Sequence, residues 1–373
     1  MRRIEVRAVT FVTVAALTVA ALATPSQAAP AAVPEGPAGP LAAGVTRVDV
    51  TAVPAAIGRN LRAATARYAS TVARTPDGRT IATASDAEAI RRYWTPERMR
   101  RALPARAPAP SIDTGGVAID PDATSTRTDS RPPSEQALVE AARAVGAEIT
   151  PAAAASRTVG KVFFIDPIDG REHFCSGATV NSTKGRLVAT AGHCVHNGVW
   201  MVGWIFAPLY DNGLHPTYGQ WIAGNLAART DWMYYRRSSA DVGVAIMDNN
   251  LSGRRIIDVV GGNGLAWNQG LGHRVDILGY PAASPHNGLT QKSCTATTSE
   301  GIDVGQIGAA PCNFTAGGSG SPMLLGYGEL GTGLGYVNSV VADIYTPRPN
   351  EVFGPYFDDV NAGLFYYAEA ISP

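Results

Sequence analysis

The chain has 373 residues, with 31 basic and 31 acidic side chains and a formal net charge of zero. That balance, with no basic stripe carrying interleaved aromatics, argues against a nucleic-acid partner, and 45% hydrophobic content is enough for a sizeable core. The zero hides an asymmetry. Residues 30–157 hold 16 Arg, no Lys and 13 acids, a net of +3, while residues 158–373 hold 9 Arg, 3 Lys and 17 acids, a net of −5. Opposite signs are compatible with one segment docking on the other.

In chain order, residues 1–28 read as a secretory signal. Arg2, Arg3 and Arg7 form a positive start, an apolar stretch runs from about Ala8 to Ala23, and small residues surround a cleavage point after Ala28. The stretch is short for a membrane span of about 20 residues. The expectation is an exported protein, extracellular and free of the membrane once the signal is removed. Residues 29–157 are rich in Ala, Pro and Arg and contain few aromatics: Tyr68, Tyr93 and Trp94, against 24 in residues 158–373. Such a stretch buries little core alone, and it is expected to be largely disordered with short helices. Asp86 to Tyr93 reads as a helical turn or two. Thr95-Pro96-Glu97 has the form of an N-cap, a proline at the first helical position and an acid in the first turn. Leu138, Ala141, Ala142 and Val145 recur at helical spacing within Ser134–Ala147, which predicts a further helix.

Residues 158–373 read as all-β. Lys161–Ile165, Gly177–Val180, Leu187–Ala191, Val199–Phe206, Val242–Met247, Val275–Leu278 and Leu334–Ala342 are apolar runs of strand length, separated by Gly, Asn, Asp and Pro clusters. Val360–Ala370 is the exception, a candidate C-terminal helix. A β-barrel or sandwich of this size is expected. Four cysteines, Cys175, Cys194, Cys294 and Cys312, allow three disulfide connectivities. They fall into two local pairs, and Cys175–Cys194 with Cys294–Cys312 is the favoured pairing in an exported chain. No C-x-x-C knuckle, phosphate loop or cofactor fingerprint is evident, so neither a metal nor a cofactor is expected; His215 and His286 are isolated.

Three runs carry chemistry. Gly317-Gly318-Ser319-Gly320-Ser321-Pro322 puts a serine among glycines, which let a backbone turn tightly and aim its N–H groups at one point. A serine hydroxyl needs a base to take its proton and such N–H donors to hold the resulting oxyanion. Thr190-Ala191-Gly192-His193-Cys194 ends an apolar run with a histidine beside a cysteine, and Asp241 opens the apolar run Val242–Met247. Each also has a plainer reading: a glycine-rich turn, a core histidine, a strand-edge aspartate. His196, three residues on, competes with His193 but lies in a looser turn.

Together these runs resemble the three signature regions of trypsin-like, chymotrypsin-fold serine endopeptidases, in the His, Asp, Ser order of that family. The likeness is greatest to the secreted bacterial branch near the glutamyl endopeptidases. It covers essentially all of 158–373, and the Tyr93-Trp94-Thr95-Pro96-Glu97-Arg98-Met99 run resembles pro-segments of actinobacterial members. The resemblance implies two six-stranded antiparallel β-barrels with the active site between them. His193 would be the base, Asp241 would orient it, Ser319 would be the nucleophile, and the N–H groups of Gly317 and Ser319 would form the oxyanion hole. Ser339 would support the aspartate, Cys175–Cys194 would brace the histidine loop, and Asn313, Phe314, Val337 and Asn338 would line the specificity pocket.

Departures from the family pattern narrow the reading. Gly318 replaces the aspartate that pairs with a new N-terminus in animal members. Asn313 stands where trypsin binds Arg or Lys through an aspartate. No histidine occupies Gly335–Ser339, where glutamyl endopeptidases meet the substrate carboxylate. Arg157-Thr158-Val159-Gly160 resembles a maturation site, so a zymogen with residues 158–373 as the mature domain is expected; an uncleaved extension is the alternative. The expected partners are protein or peptide substrates and the chain's own pro-segment, with the enzyme a monomer. An inactive chymotrypsin-fold binding module is the competing function. An esterase of α/β-hydrolase type is disfavoured, because Ser321 replaces the second glycine of G-x-S-x-G and the residue order differs.

Overall fold

The computed structural model describes residues 67–107, 119, 130–131, 133–134, 155–328, 333–345 and 347–373. The expected signal at 1–28 and nearly all of the expected helix over Ser134–Ala147 lie outside the described residues. Upstream of residue 155 the elements are β1 (Tyr68–Val72), α1 (Ala84–Tyr93), α2 (Pro96–Arg101), β2 (Leu103–Pro104) and β3 (Ser130–Arg131). Thr83 caps α1 in a capping box with Asp86, and Thr95 caps α2 ahead of Pro96.

Six strands then close an antiparallel barrel. They are β4 (Val159–Asp166), β5 (Arg171–Val180), β6 (Leu187–Thr190), β7 (Val202–Pro208), β8 (Trp221–Arg229) and β9 (Gly243–Met247). Going round the barrel, the pairs are β4–β5, β5–β6, β6–β9, β9–β8, β8–β7 and β7–β4. Side chains alternate faces along a strand, and β4 uses both. Val162 and Phe164 point into the barrel core with Trp204 and Phe206, whereas Phe163 and Ile165 face outward against Ile90, Trp94 and Met99 of the upstream segment. This two-sided burial explains why β4 reads as a continuous apolar run. Two short helices, α3 (Thr230–Tyr235) and α4 (Ile257–Val260), flank β9.

The second half comprises β10 (Gly264–Ala266), β11 (Arg274–Gly279), β12 (Lys292–Glu300), β13 (Gln306–Ala310), β14 (Pro322–Leu325), β15 (Tyr336–Val340), β16 (Asp343–Ile344) and β17 (Val352–Pro355). With β3 they form a nine-stranded sheet ordered β16-β17-β13-β12-β11-β14-β15-β10-β3. The chain ends in α5 (Asp359–Ala370), capped by Asp358. Leu364 and Phe365 of α5 share one core with Leu187 and Val244 of the barrel and Leu324 and Val337 of the second sheet. The all-β architecture is thus observed as a closed six-stranded barrel and a second sheet.

The expectation of a largely disordered segment upstream does not hold for residues 67–107. β1 pairs antiparallel with β8, and Ile90, Trp94 and Met99 are buried against the barrel. The segment has too few apolar residues for a core of its own, and it borrows the outer face of the barrel instead.

Candidate active site

His193 lies in a short 3-10 turn, Gly192–Cys194, at the end of β6. The turn is tied to β5 by the Cys175–Cys194 disulfide. Asp241 follows another such turn, Ser238–Ala240, directly ahead of β9. Because β6 and β9 pair side by side, with Thr190 opposite Gly243, the two residues meet. The Asp241 carboxylate accepts from the His193 backbone N–H at 2.8 Å through Oδ1 and from ring Nδ1 at 2.9 Å through Oδ2. Both residues are buried. A carboxylate acceptor fixes the ring proton on Nδ1 and leaves Nε2 with a lone pair. His193 Nε2 is buried and has no hydrogen-bond partner among the described residues. Gly192 makes the carboxylate's approach possible: a Cβ there would lie 2.9 Å from Asp241 Oδ1 and 2.9 Å from Trp232 Cδ1.

Ser319 comes from the second half and is joined to the barrel through Ser176 of β5. The Ser176 N–H donates to the Ser319 carbonyl at 2.7 Å, and its hydroxyl donates to the Gly317 carbonyl at 3.0 Å while accepting from the Tyr280 N–H at 2.9 Å. Thr190, three residues before His193, donates to the Ser176 carbonyl at 2.8 Å. The histidine and serine loops therefore share one anchor. Gly317 has φ of +91°, and a Cβ there would lie 2.6 Å from the Phe174 ring and 2.7 Å from the Tyr280 carbonyl. Within this loop Gly318 N–H bonds Thr315 and Gly320 N–H bonds Val341. The N–H groups of Gly317 and Ser319 make no hydrogen bond among the described residues. Two free donors flanking a serine can hold a developing oxyanion.

His196 does not share this geometry. Its ring packs on Trp200 with centroids 5.0 Å apart, and burial followed by the charge of Arg236 pushes its pKa down to about 4. The sulfurs of Cys175 and Cys194 lie within 4.8 Å of a His193 ring nitrogen, but in a disulfide they offer no thiolate to a metal. The second disulfide, Cys294–Cys312, joins the start of β12 to the loop after β13.

The other sequence-derived residues are placed differently. Ser339 is buried, and its hydroxyl donates to the Pro355 carbonyl at 2.8 Å, because β17 runs beside it; both Asp241 oxygens are engaged by His193 instead. The four expected pocket residues fall in two groups: Asn313 and Phe314 in the loop after β13, Val337 and Asn338 on β15. Asn313 is exposed beside His286, with both its oxygens 3.2 Å from the ring Nε2. Phe314 packs in the core of the second sheet, and Val337 lies in the core shared by both halves. Asn338 is buried, with Nδ2 unpartnered among the described residues.

Sequence reading missed two residues. Ser176 sat unremarked beside Cys175, with no local signal for a role fulfilled across 141 residues. Asp343 opens β16, two residues after Val341, whose backbone pairs with Gly320 and Ser321 just beyond β15. Its carboxyl is pushed up, chiefly by burial and also by the charge of Asp241, against the opposing effects of the Ile344 N–H and then of His193.

No protein-family model and no curated protein matches the chain. Solved structures do. A thermostable serine protease, AL20, from an extremophilic microorganism is 34% identical over 58% of this chain and 99% of its own, with a TM-score of 0.53. Protease Anisep from Arthrobacter nicotinovorans is 35% identical over 59% of this chain and 99% of its own, with a TM-score of 0.54. A Glu endopeptidase is matched at 17% identity over 57% of this chain and 91% of its own, with a TM-score of 0.45, and that likeness carries no weight for specificity. Two relatives above 30% identity, each spanned almost completely, are serine proteases, and with the closed barrel and the second sheet they show that the chain belongs to the trypsin-like serine endopeptidases of chymotrypsin fold.

Proposed function

We propose that the protein is an exported serine endopeptidase, made as a zymogen, that hydrolyses peptide bonds through His193, Asp241 and Ser319. The observation that carries this reading is the double hydrogen bond from His193 to Asp241, which leaves Nε2 bare and buried at the end of β6. In this mechanism Nε2 takes the Ser319 proton as Oγ attacks the scissile carbonyl. Asp241 holds the tautomer and stabilises the imidazolium, while the N–H groups of Gly317 and Ser319 hold the oxyanion. His193 then protonates the leaving amine, and water attacks the acyl-enzyme by the same route. Residues 1–28 are the export signal, 29–157 the pro-segment and 158–373 the mature enzyme, with cleavage at or near Arg157. Arg157 is half-buried between the buried Ser156 and Thr158, so the cut requires local opening.

An active-site fluorophosphonate tests the reading. The matured protein is expected to be labelled at Ser319, and Ser319→Ala to be unlabelled and inactive on a peptide library. An unlabelled matured protein would instead indicate an inactive binding module. N-terminal sequencing of the secreted protein should begin close to residue 158, and a start upstream of about Glu140 would sink the processing scheme.

A further inference from the structure

The N–H of Gly317 shares a planar peptide with the Ala316 carbonyl, so whatever holds that carbonyl aims the N–H the opposite way. The Ala316 carbonyl accepts from the Ala282 N–H at 2.8 Å. One residue earlier, the Thr315 hydroxyl accepts from the Ala283 N–H at 2.9 Å. The direction of the Gly317 donor is therefore set by the loop between β11 and β12. That loop turns back at Gly288, where φ is +68° and the N–H donates to the Pro281 carbonyl at 2.9 Å.

The loop is held in turn by a buried lysine. Lys161 Nζ donates to the Gly288 carbonyl at 2.8 Å. On the barrel, Lys161 of β4 stands opposite Ser176 of β5, so both side chains leave the same face. Ser176 holds the Gly317 carbonyl and the Tyr280 N–H, and Lys161 holds the far end of the same loop. The Phe174 ring fills the space between them. Lys161 Nζ lies 3.7 Å from its centre. A Cβ on Gly317 would lie 2.6 Å from ring atom Cε2, and one on Gly288 would lie 3.0 Å from Cζ, so both glycines close on one edge of the ring.

This lysine costs the fold stability. Only 2% of it is exposed, and burial pulls its pKa down to about 7 with no ion pair among the described residues to offset the cost. A methionine of similar length would pack there without that penalty. The contacts the amine makes lie one peptide away from the oxyanion donors, which gives it a task that packing alone does not.

We propose that Lys161 is a positioning residue for the oxyanion hole: its bond to Gly288 and its seat over Phe174 fix the loop that aims the Gly317 N–H. The proposal rests on the reading of Ser319 as nucleophile and of the Gly317 and Ser319 N–H groups as oxyanion donors.

The matured protein carries the test, with a peptide ester as substrate. Lys161→Met is expected to lower kcat about tenfold, the rate equivalent of about one hydrogen bond, with KM little changed and Tm at pH 7 no lower than wild type. Lys161→Gln keeps a donor for Gly288 and is expected to recover most of the rate. Phe174→Leu keeps the lysine and removes the ring between it and Gly317, and it is expected to show the same fall in kcat. A peptide aldehyde, whose adduct with Ser319 places an oxyanion in the hole, is expected to bind Lys161→Met about tenfold more weakly, while the matching peptide alcohol binds as to wild type. Wild-type kcat in folded Lys161→Met or Phe174→Leu overturns the proposal. So does equal weakening of aldehyde and alcohol, or a Lys161→Gln variant no faster than Lys161→Met. A wild type that neither turns over nor is labelled by a fluorophosphonate overturns the reading of Ser319, and this proposal with it; a labelled wild type beside unaffected variants overturns this proposal alone.

Discussion

At the scale of single residues, the candidate site depends on groups that hold other groups in place. Asp241 accepts both the backbone and the ring N–H of His193, so Asp241→Asn keeps the shape of the pair but offers a donor where the ring needs an acceptor. The expected result is a fall in kcat of about 10⁴ with labelling slowed in parallel, measured on a peptide ester. Ser176→Ala tests the anchor of the oxyanion loop. It strands the Gly317 carbonyl and the Tyr280 N–H, a cost of about 1–3 kcal/mol for a buried group left unpaired. The expected outcome is a kcat lowered by about tenfold or more with KM little changed; a raised KM with kcat unchanged would mean that the loop only binds substrate. The His193–Asp241 pairing was foreshadowed because each residue stands in a short run whose composition reports its local geometry, as Ser319 does too. Ser176 was not, because its partners lie at Gly317 and Tyr280, and no run contains all three. For Ser339 the partner is equally non-local: its hydroxyl meets the Pro355 carbonyl because β17 lies beside β15, which a sequence offset from Ser319 does not encode.

At the scale of elements, strands buried on a continuous or cleanly alternating face were readable, and the others were not. β4, β6 and β9 are dense in Val, Ile, Leu and Phe. β8 carries Ala and Gly where its neighbours press close, β12 is Thr- and Ser-rich with most of one face exposed, and β13 is Gln-Ile-Gly-Ala-Ala, so none shows the expected pattern. β4 also holds the least expected charge in the molecule. Lys161 is buried, donates to the Gly288 carbonyl at 2.8 Å and lies 3.7 Å from the centre of the Phe174 ring. Burial pulls its pKa from 10.5 down to about 7. Between those values the unfolded chain holds a proton that the folded chain has lost, so stability rises with pH across that window. Lys161→Met is therefore expected to raise Tm most near pH 6, with the gap to wild type closing towards pH 10. A constant gap, or a wild type more stable at pH 6, would show that the aromatic faces hold the cation despite its burial.

At the scale of the whole molecule, the candidate site is assembled from two halves that neither half completes. His193 and Asp241 belong to the barrel, Ser319 to the loop ahead of β14, and one shared core with α5 fixes the halves together. The composition break near residue 157 and the opposite net charges on its two sides were readable in the chain. That the upstream segment folds on the barrel was not, since its few apolar residues become a core only against Phe163, Ile205 and Ile222. The two disulfides separate stability from assembly of the site. They close loops of similar length, with sequence separations of 19 and 18, so chain entropy assigns each about 3 kcal/mol. Cys294–Cys312 joins β12 to the loop after β13, away from the His193–Asp241 pair, whereas Cys175–Cys194 joins the turn that carries His193 to the strand that anchors Ser319. Replacing either pair by alanines is expected to lower the denaturant midpoint by a similar amount. Only the Cys175→Ala, Cys194→Ala variant is expected to lose turnover under conditions where circular dichroism shows it still folded, because its histidine turn is no longer tied to the Ser176 edge. Equal loss of turnover in both variants, at equal fractions folded, would mean that the first disulfide acts on stability alone and that the hydrogen bonds around Ser176 suffice to align the site.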